Sequence, residues 1–169
     1  MSRVFPAAVT LAAAALLVAG CGGGGTSDVA APADTTEASP TGCTAAELPE
    51  PRENGGASEP EPLAPGTTAT LEFVTNCGSF TVTLDVEQAP EASASLVSLA
   101  RSGFFDDTIF HRIVPGFVIQ GGDPTQSGAG GPGYKTLDVP PKDASYTKGV
   151  VAMAKTAAEP PGTAGSQFF

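Results

Sequence analysis

The chain has 169 residues, and its 8 Lys and Arg against 18 Asp and Glu give a formal net charge of −10. That balance excludes a nucleic-acid binder, because neutralising phosphates requires a basic face. With 21 Gly and 16 Pro the chain is too rich in turn formers for a helical bundle, and one His with three Cys is too few for a multi-ligand zinc site.

Met1-Ser2-Arg3 carries one positive charge, and no charged residue follows until after Gly20, with Ala and Leu dominating Ala7 to Val18. This is the layout of an export signal over residues 1–20. Its apolar core is shorter than the ~20 residues that cross a bilayer. Val18-Ala19-Gly20-Cys21 resembles the lipobox of bacterial lipoproteins. The resemblance implies a lipidated Cys21 at the mature N-terminus, several acyl chains holding the protein at the outer face of the cytoplasmic membrane. An ordinary secretory peptide with a coincidental cysteine is the alternative.

Residues 21–66 contain 8 Gly, 7 Pro, 8 acids, one base and no aromatic residue, with Val29, Leu48 and Leu63 as the large aliphatics. So little apolar area does not offset chain entropy, and the segment reads as a disordered acidic tether. It carries a charge of −7, against −4 for residues 67–169, so most of the acidity belongs to the spacer.

Alternation begins after Gly66. Leu71, Phe73 and Thr75 share one strand face, and Phe80, Val82, Leu84 and Val86 share another, with Asn76-Cys77-Gly78 between them. The pattern predicts a β-hairpin. A helix is expected from Ala89-Pro90-Glu91, with Leu96, Leu99 and Ala100 on its apolar stripe and Gly103 as its stop. Thr108 to Val114 and Phe117 to Gln120 read as two strands around Pro115-Gly116. A long Gly- and Pro-rich loop spans 121–148, of the kind that often carries function. Gly149 to Ala154 reads as a further strand. Outside the cytoplasm two thiols commonly pair, so Cys43 and Cys77 are expected to form a disulfide; two free thiols are the alternative.

The most informative run is Phe110-His111-Arg112-Ile113-Val114-Pro115-Gly116-Phe117-Val118-Ile119-Gln120-Gly121-Gly122-Asp123. An arginine within an apolar strand needs either a partner or a polar target. By itself Arg112 would pair with Asp123 or another acid. His111 alternates to the opposite face and reads as a packed, hydrogen-bonded side chain. No Gly-x-Ser-x-Gly accompanies it for hydrolase chemistry. Gly128 to Gly133 spells Gly-x-Gly-x-x-Gly, but Pro132 and the absence of a following helix pattern exclude a phosphate cradle.

The run resembles the signature of cyclophilin-type peptidyl-prolyl isomerases. The similarity continues through Gly128-Ala129-Gly130-Gly131, Gly149 to Ala154, and Gly165-Ser166-Gln167-Phe168-Phe169. It implies an isomerase domain over 67–169, mainly β, with a cyclophilin-like antiparallel β-barrel and a capping helix. The implied activity is cis–trans isomerisation of X–Pro bonds, without cofactor or metal, on proline-containing exported polypeptides, by a protein expected to act as a monomer. The resemblance assigns Arg112 as the catalytic donor to the proline nitrogen and Gln120 as the holder of the substrate backbone. Phe117, Val118 and Phe169 would line the proline pocket, while Gln167, Ala154 and Gly128 would contact the peptide. Where the family commonly has Met and Asn, this chain has Val118 and Lys155, and Lys155 is expected either to alter the residue preferred before proline or to be solvated. The barrel-closing strands, a second helix, and an aromatic and a histidine of the pocket have no counterpart before Phe169, so the fold is expected to be incomplete at its C-terminus. A non-catalytic proline-peptide binding or chaperone module is the alternative function.

Overall fold

The computed structural model describes residues 42–169. The export signal and the lipidation site at Cys21 lie outside the described residues, as does the tether up to residue 41. Strands β1 (Thr70–Thr75) and β2 (Gly78–Thr83) form an antiparallel hairpin in which Thr75 faces Gly78, leaving Asn76-Cys77 as its loop. Gly78 takes φ +117, a region that costs glycine little, and the Thr75 hydroxyl closes the turn by donating to Gly78 O at 2.8 Å. The alternation expected of β1 is realised, with Leu71, Phe73 and Thr75 facing inward. Phe73 and Phe80 are register partners and stack at 4.8 Å between centroids.

Helix α1 (Pro90–Arg101) follows. Pro at the first turn removes an amide that would have had no intrahelical partner. The remaining free amides find a remote cap: the Asp138 carboxylate accepts from Glu91 N at 3.3 Å and Ala92 N at 2.7 Å, while Glu91 Oε2 accepts from Leu137 N at 3.0 Å. This reciprocal clamp fastens the start of α1 to Leu137 and Asp138. Gly103, at φ +72, ends the helix, and the Phe104 amide bonds back to Leu99 O. The buried helix residues are Ala92, Ser93, Ala94, Ser95 and Leu99; of the expected stripe Leu99 is buried, Leu96 half-buried and Ala100 exposed. Ser95, fully buried, is satisfied by the Tyr134 hydroxyl at 2.9 Å.

β3 (Arg112–Val114) and β4 (Val118–Gln120) form a second hairpin, pairing Arg112 with Gln120 and Val114 with Val118. Its three-residue loop, Pro115-Gly116-Phe117, places Gly116 at φ +73, and Phe117 N bonds to Val114 O. β5 (Thr136–Leu137) and β6 (Thr163–Ala164) make a third pair that periodicity does not reveal, since two residues carry no period.

Phe168 completes the core. Its ring lies edge-on to Phe73, Phe105 and Phe110, and its backbone exchanges two hydrogen bonds with Gly121 at 3.0 and 3.1 Å. Residues 149–154 do not form the expected strand. Ala152 pairs with Phe169 and Ala154 N donates to Gln167 O, so only a short stretch is laddered. The β-barrel expected from the sequence is one incomplete at its C-terminus; among the described residues the strands make three separate two-stranded sheets, and no closed barrel is formed. Val150 is 49% and Phe80 41% exposed.

Residues 42–66 correct the tether boundary. Rather than standing free, they lie along the domain through a Cys43–Cys77 disulfide and through backbone bonds from Thr44 to Asn76, Arg52 to Pro124, Gly55 to Gly131, Ala57 to Pro132 and Leu63 to Pro90. The composition argument weighs apolar side chains, whereas this attachment is made by main-chain polar groups and one covalent link. Replacing Asp138 by Ala is expected to destabilise the domain by about 1 kcal/mol through the lost cap, read as a lower urea midpoint with an unchanged m-value.

Candidate active site

The β3–β4 register sets Arg112 beside Gln120, and the Arg112 guanidinium donates to Gln120 Oε1 at 3.5 Å. It also lies 6.0 Å from the centroid of the exposed Phe117 ring. Gln120 Nε2 donates to Gln167 Oε1 at 2.9 Å, and Gln167 Nε2 donates to the carbonyls of Gly128 at 3.0 Å and Gly130 at 2.8 Å. A polar chain thus runs from the guanidinium through two amides to the glycine loop. Gln120 keeps a second N–H and a further lone pair for a bound peptide, whereas both N–H groups of Gln167 are taken by the glycine loop.

Asp123 anchors that loop from within. Its side chain is fully buried and accepts from Thr125 N and Oγ1, each at 2.8 Å, and from the amides of Gly128 at 2.6 Å and Gly130 at 3.1 Å. Burial pushes the carboxyl up, but the Thr125 hydroxyl and the three amides together outweigh it and hold the pKa below its ordinary value. Gly130 lies so close to Asp123 Oδ1 that a Cβ there would collide with it. The Arg112–Asp123 ion pair that the bare sequence suggests is therefore not made, because Asp123 is committed to the loop.

Phe117, Val118 and Phe169 line one open cleft of about 630 Å³, together with Phe110, Tyr146 and Val150. The Tyr146 ring sits 5.6 Å from that of Phe169. Tyr146 carries no sequence signal, standing alone in an aperiodic loop. The polar chain borders this cleft through the shared β4 strand, on which Val118 and Gln120 occupy the same face.

Other expected peptide contacts are already engaged. The Gly128 amide and carbonyl are taken by Asp123 and Gln167, and the Ala154 amide is taken by Gln167 O. Lys155 folds back on its own turn, its ammonium donating to the carbonyls of Thr156 at 3.0 Å and Glu159 at 3.1 Å. In that turn the Thr156 amide, then Lys135 at 3.0 Å, lowers the Glu159 carboxyl to about 2. His111 packs near Gly128, but neither ring nitrogen has a hydrogen-bond partner among the described residues, unlike the satisfied histidine expected.

The family profile described as "Cyclophilin type peptidyl-prolyl cis-trans isomerase/CLD" matches residues 70–169. Peptidyl-prolyl cis-trans isomerase A of Mycobacterium tuberculosis is 41% identical over 122 residues, which cover 63% of this chain and 65% of that protein. Peptidyl-prolyl cis-trans isomerase-like 1 of Emericella nidulans is 43% identical over 103 residues, 59% of this chain and 62% of that one. The chain thus spans somewhat under two thirds of these relatives' length. The crystal structure of a cyclophilin type peptidyl-prolyl cis-trans isomerase from Cryptosporidium parvum superposes with a TM-score of 0.54 at 36% identity, covering 60% of this chain and 65% of that one. The same protein has also been solved in the presence of the dipeptide Ala-Pro.

Asp123→Asn places an amide donor among four donors and is expected to cost about 2–3 kcal/mol, with faster hydrogen exchange at Gly128 and Gly130. The depressed pKa sets the pH window. The carboxylate's contribution is complete above its ordinary value of 3.8 and is lost as pH falls through the lower folded value, so amide exchange in the loop should accelerate only in stronger acid.

Proposed function

The chain belongs to the cyclophilin-type peptidyl-prolyl cis-trans isomerase family, and on that premise we propose that it catalyses rotation about X–Pro bonds. Amide resonance opposes this rotation with a barrier of about 18–20 kcal/mol, while the cis and trans end states of X–Pro differ little. The reaction breaks no covalent bond. It calls for a donor that favours the twisted amide, whose nitrogen has become pyramidal and basic, and for an apolar socket that holds the ring.

The observation that carries the reading is Arg112. Its guanidinium forms no ion pair among the described residues, stands beside Gln120 and leans over Phe117 at the rim of an apolar cleft. In this role it donates to the prolyl nitrogen. Gln120 holds the neighbouring carbonyl through its spare amide hydrogen, and Phe117, Val118 and Phe169 bracket the ring. The Ala-Pro dipeptide used with the Cryptosporidium parvum protein supports a proline-containing peptide as the ligand class. The apolar, weakly charged start of the chain and the small residues before Cys21 support action on exported polypeptides from a lipid anchor outside the cytoplasmic membrane. The described residues contain no helix long and apolar enough to cross a membrane.

Arg112→Ala is expected to lower kcat/KM on an X–Pro peptide by about 10²–10³-fold, the usual consequence of losing one preorganised donor. Undiminished turnover in a protease-coupled assay would refute the role. Peptide binding without any turnover by the native chain would favour the binding-module alternative. For the anchor, Cys21→Ser is expected to abolish fatty-acid labelling in a bacterial host and move the protein from the membrane to the soluble fraction.

A further inference from the structure

Residues 49–57 run across the outside of the loop that Asp123 holds from within. Arg52 N donates to Pro124 O at 2.8 Å, and its guanidinium donates to Phe104 O. Gln126, at φ +60 in the left-handed region, reaches back to donate to Pro49 O at 2.7 Å. Such a conformation is uncommon for a residue with a side chain and persists where surrounding contacts impose it. Asn54 Oδ1 accepts from Gly131 N at 2.7 Å, and Gly55 N donates to Gly131 O at 2.9 Å, so both main-chain groups of Gly131 are taken by this strap. Gly55 (φ +83) and Gly133 (φ +99) meet backbone to backbone, and a Cβ on Gly133 would approach Gly55 Cα to 3.2 Å. The strap is fixed at one end by Cys43–Cys77 and at the other by Leu63 N on Pro90 O.

The loop is therefore clamped from two sides, and Gln167 hangs on its carbonyls at Gly128 and Gly130. Building on the isomerase reading above, we infer that the disulfide-closed strap is a positioning element for prolyl-peptide binding, with Asn54 as its principal positioning residue. It touches no substrate. It fixes the Gly128 and Gly130 carbonyls, which orient Gln167, and through Gln167 the carboxamide of Gln120. Loosening the strap should weaken peptide binding more than it slows the rotation, because Arg112 and the apolar cleft stay in place.

The test uses the full chain with Asn54→Ala, Asn54→Asp and the double variant Cys43→Ser/Cys77→Ser. Asn54→Ala is expected to speed hydrogen exchange at Gly128 and Gly130 about tenfold, the scale of one lost hydrogen bond. It should also shift the Gln167 side-chain amide resonance and raise KM for an X–Pro peptide severalfold at nearly constant kcat. Asn54→Asp keeps the acceptor and should restore all three readouts, which a merely structural loss of bulk would not explain. The double serine variant should reproduce the exchange and Gln167 effects, and it decides the matter if Asn54→Ala does not fold. Unchanged exchange and an unmoved Gln167 resonance in the folded variants overturn the strap inference, even if the native chain is an active isomerase. Absence of turnover by the native chain would instead overturn the isomerase reading, with the exchange and resonance readouts still deciding whether the strap orders the loop.

Discussion

The described structure depends on how Gln167, Phe168 and Phe169 are inserted. Their backbone is held on one side by Gly121 and on the other by Ala152 and Ala154. Strand alternation then sends Phe168 inward and its two neighbours outward. Inward, Phe168 meets the rings of Phe73, Phe105 and Phe110, which come from three separate parts of the chain. Outward, Gln167 joins the polar chain to Arg112, and Phe169 forms a wall of the apolar cleft. One short stretch of backbone pairing thus couples core formation to the placement of the polar chain beside the apolar cleft. Gly121 and Gly122 make room for it: a Cβ on Gly121 would come within 3.1 Å of the Phe110 ring, and one on Gly122 would collide with Ser166 O.

Asp123 supplies the second constraint. A fully buried carboxylate is tolerable only when its lone pairs are filled, and here a hydroxyl and three amides fill them. The loop consequently closes around the carboxylate and turns the carbonyls of Gly128 and Gly130 toward Gln167. Electrostatics and packing meet at Gly130, where the approach to Asp123 leaves no space for a side chain.

What the sequence disclosed follows from the range of each interaction. The β1–β2 and β3–β4 hairpins and α1 are local, governed by alternation, turn glycines and a proline at the helix start, and they stand near where those signals place them, although β3 begins at Arg112 rather than Thr108 and β2 ends at Thr83. The juxtaposition of Arg112 with Gln120 also follows from alternation across a tight turn. The remote helix cap from Asp138, the β5–β6 pair and the strap on the glycine loop join residues far apart in sequence, and no local pattern announces them. Residues 149–154 show the opposite error. Their apolar run has the composition of a strand, but strand formation also needs a partner, and only Gln167–Phe169 provides one. Lys155 likewise could not be placed by type, because its target is the main chain of its own turn.

The isolation of Arg112 is itself a product of the fold. In a chain of net charge −10, an exposed guanidinium should attract a carboxylate. Asp123, the acid that the sequence offers as its partner, is engaged by the loop amides and the Thr125 hydroxyl. Asp123 accepts four hydrogen bonds, more than an exposed ion pair would offer it, since surface pairs contribute at most about 1 kcal/mol. Among the described residues the only side-chain acceptor that meets the guanidinium is the neutral Gln120, at a long 3.5 Å. A neutral, loosely held partner orients the charge without quenching it, which suits the donor role proposed for Arg112.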